Sequence, residues 1–197
     1  MLTNKTMSKG DTIIEVMLAI TIFAMLSVGA LTLMNRGVAS AQDALETTLV
    51  RQQIDGQAET LRFLHQAYML NPNAPAGSAS VFKDIKTNKK ATAASEFGSN
   101  GSGGSCINAI PSTGFALNPG TAKIILDKPE PMGSNDAPAY AQLTEDTKAY
   151  GIWIEAVEGQ SEAGSPNFYD FHIRACWNAA VSSVPRTLGT IVRLYVP

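Results

Sequence analysis

Residues 8–35 read SKGDTIIEVMLAITIFAMLSVGALTLMN, and the organisation of the whole chain follows from what this stretch is. Between Val16 and Asn35 no side chain is charged. A helix of roughly 20 apolar residues is long enough to cross the hydrocarbon core of a bilayer. Lys5 and Lys9 precede the run. Positive residues stay on the cytoplasmic side, so everything after Asn35 is expected outside the cytoplasm. One acid, Glu15, stands at the start of the run. The pattern TIIE resembles a capping box, with Thr12 as the cap and Glu15 bonding back to its backbone N–H, and the helix dipole favours negative charge there.

The chain of 197 residues suits one ordinary domain plus an appendage. Its formal net charge of −2 gives no global attraction to nucleic acid or to an anionic membrane. The only cysteines, Cys106 and Cys176, both fall in the part expected to be exported. An even count in an oxidising compartment favours a disulfide, with two buried free thiols as the alternative. A bridge between them would close a loop of 70 residues, worth about 4 kcal/mol by chain entropy.

After Arg36 and Gly37 the helical pattern continues but becomes amphipathic. Val50, Ile54, Ala58, Leu61, Leu64 and Tyr68 form one stripe, with Arg51, Asp55, Glu59, Arg62 and Gln66 on the opposite side. Leu45 and Leu49 point elsewhere, toward a different neighbour. LNPNAP ends the helix, because Pro72 and Pro75 cannot continue its ladder. Residues 73–105, with KDIKTNKK and the run GSNGSGGS, read as surface loop with one short helix around Val81–Ile85. Four later segments read as strands: 122–127, 149–159, 167–177 and 189–196. On the second, Ile152, Ile154 and Ala156 share one face, and Trp153, Glu155 and Val157 the other. An antiparallel meander is expected, one face in water and the other covered by the helix stripe.

The expected fold is therefore α+β: a long N-terminal helix, membrane-spanning in its first half and amphipathic in its second, packed on a small antiparallel sheet. The expected segments are a leader (1–10), the membrane half of the helix (11–36), its amphipathic half (37–71), a variable loop region (72–121) and the sheet of the head (122–197).

KGDTIIEVMLAITIFAMLSVG resembles the processing site and N-terminal helix of type IV pilins and pseudopilins. The shared features are a basic leader ending in Gly, then Glu as the fifth residue after the cut, heading an apolar span. The resemblance implies a pilin-like fold and cleavage between Gly10 and Asp11 by an inner-membrane prepilin peptidase, with methylation of the new amine. It implies further that Glu15 meets the N-terminal amine of a neighbouring subunit as helices bundle into a fibre, extracellular or periplasmic. An acid near a bilayer centre costs roughly 2.5–3.5 kcal/mol, so a partner that neutralises it favours docking over remaining in lipid. Asp11 departs from the Phe or Met common at that position; it lies four residues before Glu15 on the same helical face, where like charges repel. The mid-helix proline of many pilins is absent, Thr32 standing near its place, and Gly29 and Gly37 are the points where the helix could bend or melt.

Other readings compete. VASAQ offers Ala39 and Ala41 in a signal-peptidase arrangement, but the apolar run exceeds the usual h-region and the helix pattern crosses the proposed cut. No HExxH, CxxC or GxSxG occurs, and GSNGSGG lacks the ending of a phosphate loop, so no enzyme, metal or cofactor is expected. His65 and His172 lie far apart and read as packing or surface residues; Trp153, Phe168, Tyr169, Phe171 and Trp177 read as core and sheet surface. Lys83, Lys86, Lys89 and Lys90 could form a patch for DNA, but no aromatic residue is interleaved with them and a solvated loop is the stronger reading. The expected function is that of a fibre subunit, with Asp11 and the long loop favouring a minor one. A secretion or competence pseudopilin, or an anchored surface domain that never polymerises, are the alternatives.

Overall fold

A computed structural model describes residues 11–91, 93–94, 106, 110–125, 127–132, 137–144, 148–159, 167–179 and 184–196. Its first element is the helix α1, Asp11–Leu70, which runs without a break through both Gly29 and Gly37. Thr12 is itself helical and so does not stand at the flanking position that a capping box needs. The chain divides between Gln42 and Asp43 into two units. The first contributes only helix to the description; the second holds the rest of α1 and every other element.

In the second unit α1 buries the stripe that its spacing predicts: Val50, Ile54, Ala58, Leu61 and Leu64 are inside the core, with Tyr68 partly buried beside them. The stripe lies in a common core with one face of a four-stranded sheet, which antiparallel strands need covered. Three strands form the expected meander: β6 (Ile152–Gly159), β7 (Asn167–Trp177) and β8 (Arg186–Val196). Ile154, Ile173 and Thr190 lie in one row, and Ala156, Phe171 and Val192 in the next. α2 (Ser78–Asn88) is the predicted short helix, extended at both ends; its Phe82 is fully buried, with its ring centroid 6.0 Å from that of Phe171.

Four expectations are corrected. The fourth strand of the sheet, β1 (Lys90–Ala91), comes from the stretch read as loop and pairs parallel with β6, so the sheet is not purely antiparallel. The segment 122–127 is not in this sheet: β3 (Lys123–Ile124) pairs with β2 (Leu117–Asn118) in a separate ladder turned at Ala122, whose φ is +52°. The predicted strand 149–159 is two. β5 (Ala149–Tyr150) pairs with β4 (Gln142–Leu143), and Gly151, at φ +62°, breaks the run before β6. A Cβ at Gly151 would stand 2.4 Å from the Cys176 carbonyl oxygen, so both the backbone angle and the close approach demand glycine.

The fourth correction concerns β6, which is buried on both faces from Ile152 to Ala156. Its second face carries Trp153, Glu155 and, from β7, Arg174. Trp153 Nε1 donates to Glu155 Oε1 at 2.9 Å, and Arg174 lies 3.4 Å from the same oxygen. Pairing and hydrogen bonding make such a buried charge tolerable.

Periodicity also passed over Gln57, which is fully buried between Ile54 and Leu61 on the helix stripe. Its amide pairs with the Leu117 backbone as another strand would: Nε2 donates to the Leu117 oxygen at 2.7 Å, and Leu117 N–H donates to Oε1 at 2.8 Å. β2 is thereby bonded to α1. Gln57→Leu would fill similar space while leaving a buried donor and acceptor unpaired, at about 1–3 kcal/mol for each. Urea unfolding of the detergent-solubilised chain is expected to show a loss of about 2–6 kcal/mol; an unchanged midpoint would contradict the role given to this amide.

Cys106 and Cys176 form a disulfide. It ties Cys106 to the end of β7, beside Trp177, whose Nε1 donates to Glu46 on α1 at 3.2 Å. Reduction is expected to lower stability by about 4 kcal/mol, as closing a loop of this length predicts. Thiol alkylation should add no mass before reduction and two labels after it.

Candidate functional site

The feature that sets this chain apart from an ordinary α+β domain is the part of α1 that its own fold leaves bare. From Ile13 to Met34 every large apolar side chain is about half or more exposed, from 49% at Ile22 to 75% at Met25. The exposure runs around all sides, and this helix is long and apolar enough to cross a membrane. Leu, Met, Ala and Ile supply the helix propensity, and no proline interrupts it.

The polar groups inside the span are satisfied locally. Thr21 Oγ1 donates to the Met17 carbonyl at 2.7 Å, Ser27 Oγ to Phe23 at 2.8 Å and Thr32 Oγ1 to Val28 at 2.8 Å. Back-bonding to the preceding turn lets a hydroxyl enter lipid without an unpaired donor. Carboxylates have no such option. Glu15 is exposed and has no ion pair among the described residues; the next charge along the helix is Arg36, also exposed and unpaired among them. At 1.5 Å per residue these two charges are about 31 Å apart along the axis, roughly the thickness of the hydrocarbon core.

Of the expected processing residues, Gly10 lies outside the described residues. Asp11 is helical, but its side chain lies outside them too. The helix places position 11 one turn below Glu15, about 6 Å along the axis. The glycines at 29 and 37 have open space where a Cβ would stand, so neither is required there by a close neighbour in the chain itself.

In the second unit several polar side chains help to hold the fold. Asp43 Oδ2 accepts from Arg186 at 2.9 Å, one turn before Glu46 receives Trp177. Trp177 and Arg186 are partners across the β7–β8 ladder, so two acids of α1 clasp one end of the sheet. His65 Nε2 lies 2.8 Å from the Tyr195 carbonyl oxygen, and its ring meets Phe82 edge-on. His172 pairs across the sheet with Ile191, and its pKa is lowered by burial and by nearby Arg174. Among the described residues no three His, Cys, Asp or Glu side chains are placed to hold a metal ion. The Asp43–Glu46 clasp had one signal in the sequence, two acids i,i+3 on the stripe side of the helix.

The lysines of 83–90 do not act as a group. Lys86 Nζ donates to the Tyr68 hydroxyl at 3.2 Å and lies 4.7 Å from that ring's centre. Lys90 pairs with Glu158 at 2.9 Å, and this bond, with a second from Tyr169, holds the Glu158 carboxyl below its usual range. Burial, together with the bond to Glu158, pushes the Tyr169 phenol up to about 12. Of these four lysines, Lys83 and Lys89 have no partner among the described residues. Two separate lysines neutralise too few phosphates for firm binding. The chain is expected to leave a short DNA duplex unretained at about 0.15 M salt; saturable retention abolished by Lys83→Glu with Lys89→Glu would show the opposite.

Comparison of the chain with family models, with curated proteins and with solved structures found no match.

Proposed function

We propose that this chain is a structural subunit of a pilus-like fibre, made as a membrane-inserted precursor and assembled through its N-terminal helix. The observation that carries the reading is the bare stretch Ile13–Met34: apolar on every side, with Glu15 as its one charge, and continuous in helix with the core stripe of an α+β head. An anchor needs only the apolar surface. A carboxylate at the start of the span adds cost in lipid and no anchoring, so it calls for a partner supplied by another molecule.

In this reading a prepilin peptidase cuts between Gly10 and Asp11, leaving an ammonium at Asp11, and the N-terminus faces the cytoplasm while the head is exported. Glu15 of one subunit then pairs with the N-terminal amine of a neighbour, and the pair forms only on docking. Asp11, whose carboxylate competes for that amine, suits a subunit present in few copies. In the head Asp43, Glu46, Gln57 and Glu155 serve packing, which is in keeping with a role in assembly.

The test is Glu15→Ala. Processing is expected to survive, with Asp11 as the first residue on N-terminal sequencing, while incorporation into sheared fibres falls at least tenfold. Normal function of Glu15→Ala would leave an anchored, non-polymerising domain. A chain beginning at Gln42 would mean that signal peptidase removes the span.

A further inference from the structure

The head half of α1 lines a cleft with one of its flanks. Gly56, Glu59, Thr60 and Phe63 stand three and four residues apart, so they share a helix face, and all four border this space. The turn between β2 and β3, residues 119–122, borders it too, with Ser78, the first residue of α2. The cleft holds about 590 Å³, within the range of small-molecule sites. Gly56 leaves room in it, since a Cβ built there would meet only Pro119 Cγ, at 3.9 Å.

Helix and turn are fixed to each other before any ligand arrives. The Gln57 amide holds the Leu117 backbone by bonds of 2.7 and 2.8 Å, so the strand leading into the turn is tied to α1 itself. Asn118 Oδ1 then accepts from the Gly120 and Thr121 N–H groups at 2.9 and 3.1 Å, and the Asn118 carbonyl accepts from Ala122 N–H at 2.8 Å. Ala122 completes the turn at φ +52°, a backbone angle that residues with a side chain rarely adopt and that clusters at ligand sites. A cleft shaped in advance loses little binding energy to ordering.

We propose that this cleft binds a neutral sugar. Phe63 is 54% exposed and supplies an aromatic ring on which the C–H face of a pyranose can rest. The groups around it match sugar hydroxyls. Those of Ser78 and Thr121 have no side-chain bond among the described residues, so each can donate and accept. Thr60 Oγ1 donates to the Gly56 carbonyl at 2.7 Å, which leaves its lone pairs to accept. Glu59 meets Arg62 through Oε1, and Oε2 is left as a charge-assisted acceptor. No basic side chain lines the cleft among the described residues and its one acid repels anions, so a phosphate, a sulfate or an acidic sugar is disfavoured. A wholly apolar ligand would strip water from the hydroxyls and the carboxylate without replacing its bonds. The cleft lies within the 43–197 unit and does not rest on the fibre reading.

Saturation-transfer NMR on the full chain, in a detergent without a sugar headgroup, tests this with maltotriose, triacetylchitotriose and lactose as probes. At least one probe is expected to bind with a Kd of about 1 mM or below, its ring C–H protons receiving the strongest saturation. Phe63→Ala removes the ring and Gly56→Leu fills the space, and each should weaken that probe about tenfold. Glu59→Gln should weaken it about threefold. Lys83→Glu, outside the cleft lining, should bind as the parent chain does. Phe63 is exposed and leucine is a better helix former than glycine, so both principal variants are expected to fold, with the disulfide intact by alkylation and mass. Absence of saturation transfer to all three probes at about 10 mM would overturn the site. Binding left unchanged by both Phe63→Ala and Gly56→Leu would overturn it as well. Tighter binding of sialyllactose than of lactose would overturn the assignment to neutral sugars.

Discussion

One face of α1, from Val50 to Leu64, is the surface on which the rest of the 43–197 unit is assembled. A three-strand meander has an apolar face that water must not reach, and this stripe joins the core that covers it. The seal is hydrophobic except at Gln57, where the helix offers an amide in place of a strand and holds the Leu117 backbone by two bonds. Trp177 and Arg186 fasten the far end of the sheet to Glu46 and Asp43. Removing the stripe would leave the sheet face bare and the β2 backbone without its partner.

The same helix meets two different surroundings. Through Met34 it is apolar on every side, its hydroxyls turned back on their own carbonyls. From Asp43 it is amphipathic, with acids directed at the sheet's tryptophan and arginine. In the proposed fibre the first half would exchange lipid for other helices. A carboxylate with no ion pair among the described residues of its own chain would make that exchange selective, because a correctly placed neighbour would relieve its cost.

Much of this was legible in advance, for a physical reason. Helix and strand periodicity depend on neighbours within one or two turns, so the stripe of α1, the short helix α2 and the strands β6, β7 and β8 could be read from spacing alone. The failures share a cause. Gly151 splits a run of good strand formers because its backbone passes against the Cys176 carbonyl and Met132, which lie far from it in sequence. AKIILD pairs with Leu117–Asn118 and not with the meander, and β1 joins β6 in parallel, because pairing is chosen by tertiary packing. Glu155 looked like the water-side residue of an alternating strand, yet Trp153 and Arg174 enclose it.

The candidate site divides in the same way. By itself the sequence determined the apolar span, the lone Glu15 and the change to an amphipathic helix, since these depend only on side-chain chemistry and helical repeat. Two cysteines in a segment expected outside the cytoplasm also favoured a bridge, there being one way to pair them. Only the tertiary structure decided that Gln57 and Glu155 are interior and that two of the four lysines are already bound. Those outcomes depend on partners as many as 60 or more residues away, brought together by folding, and no local pattern carries that information.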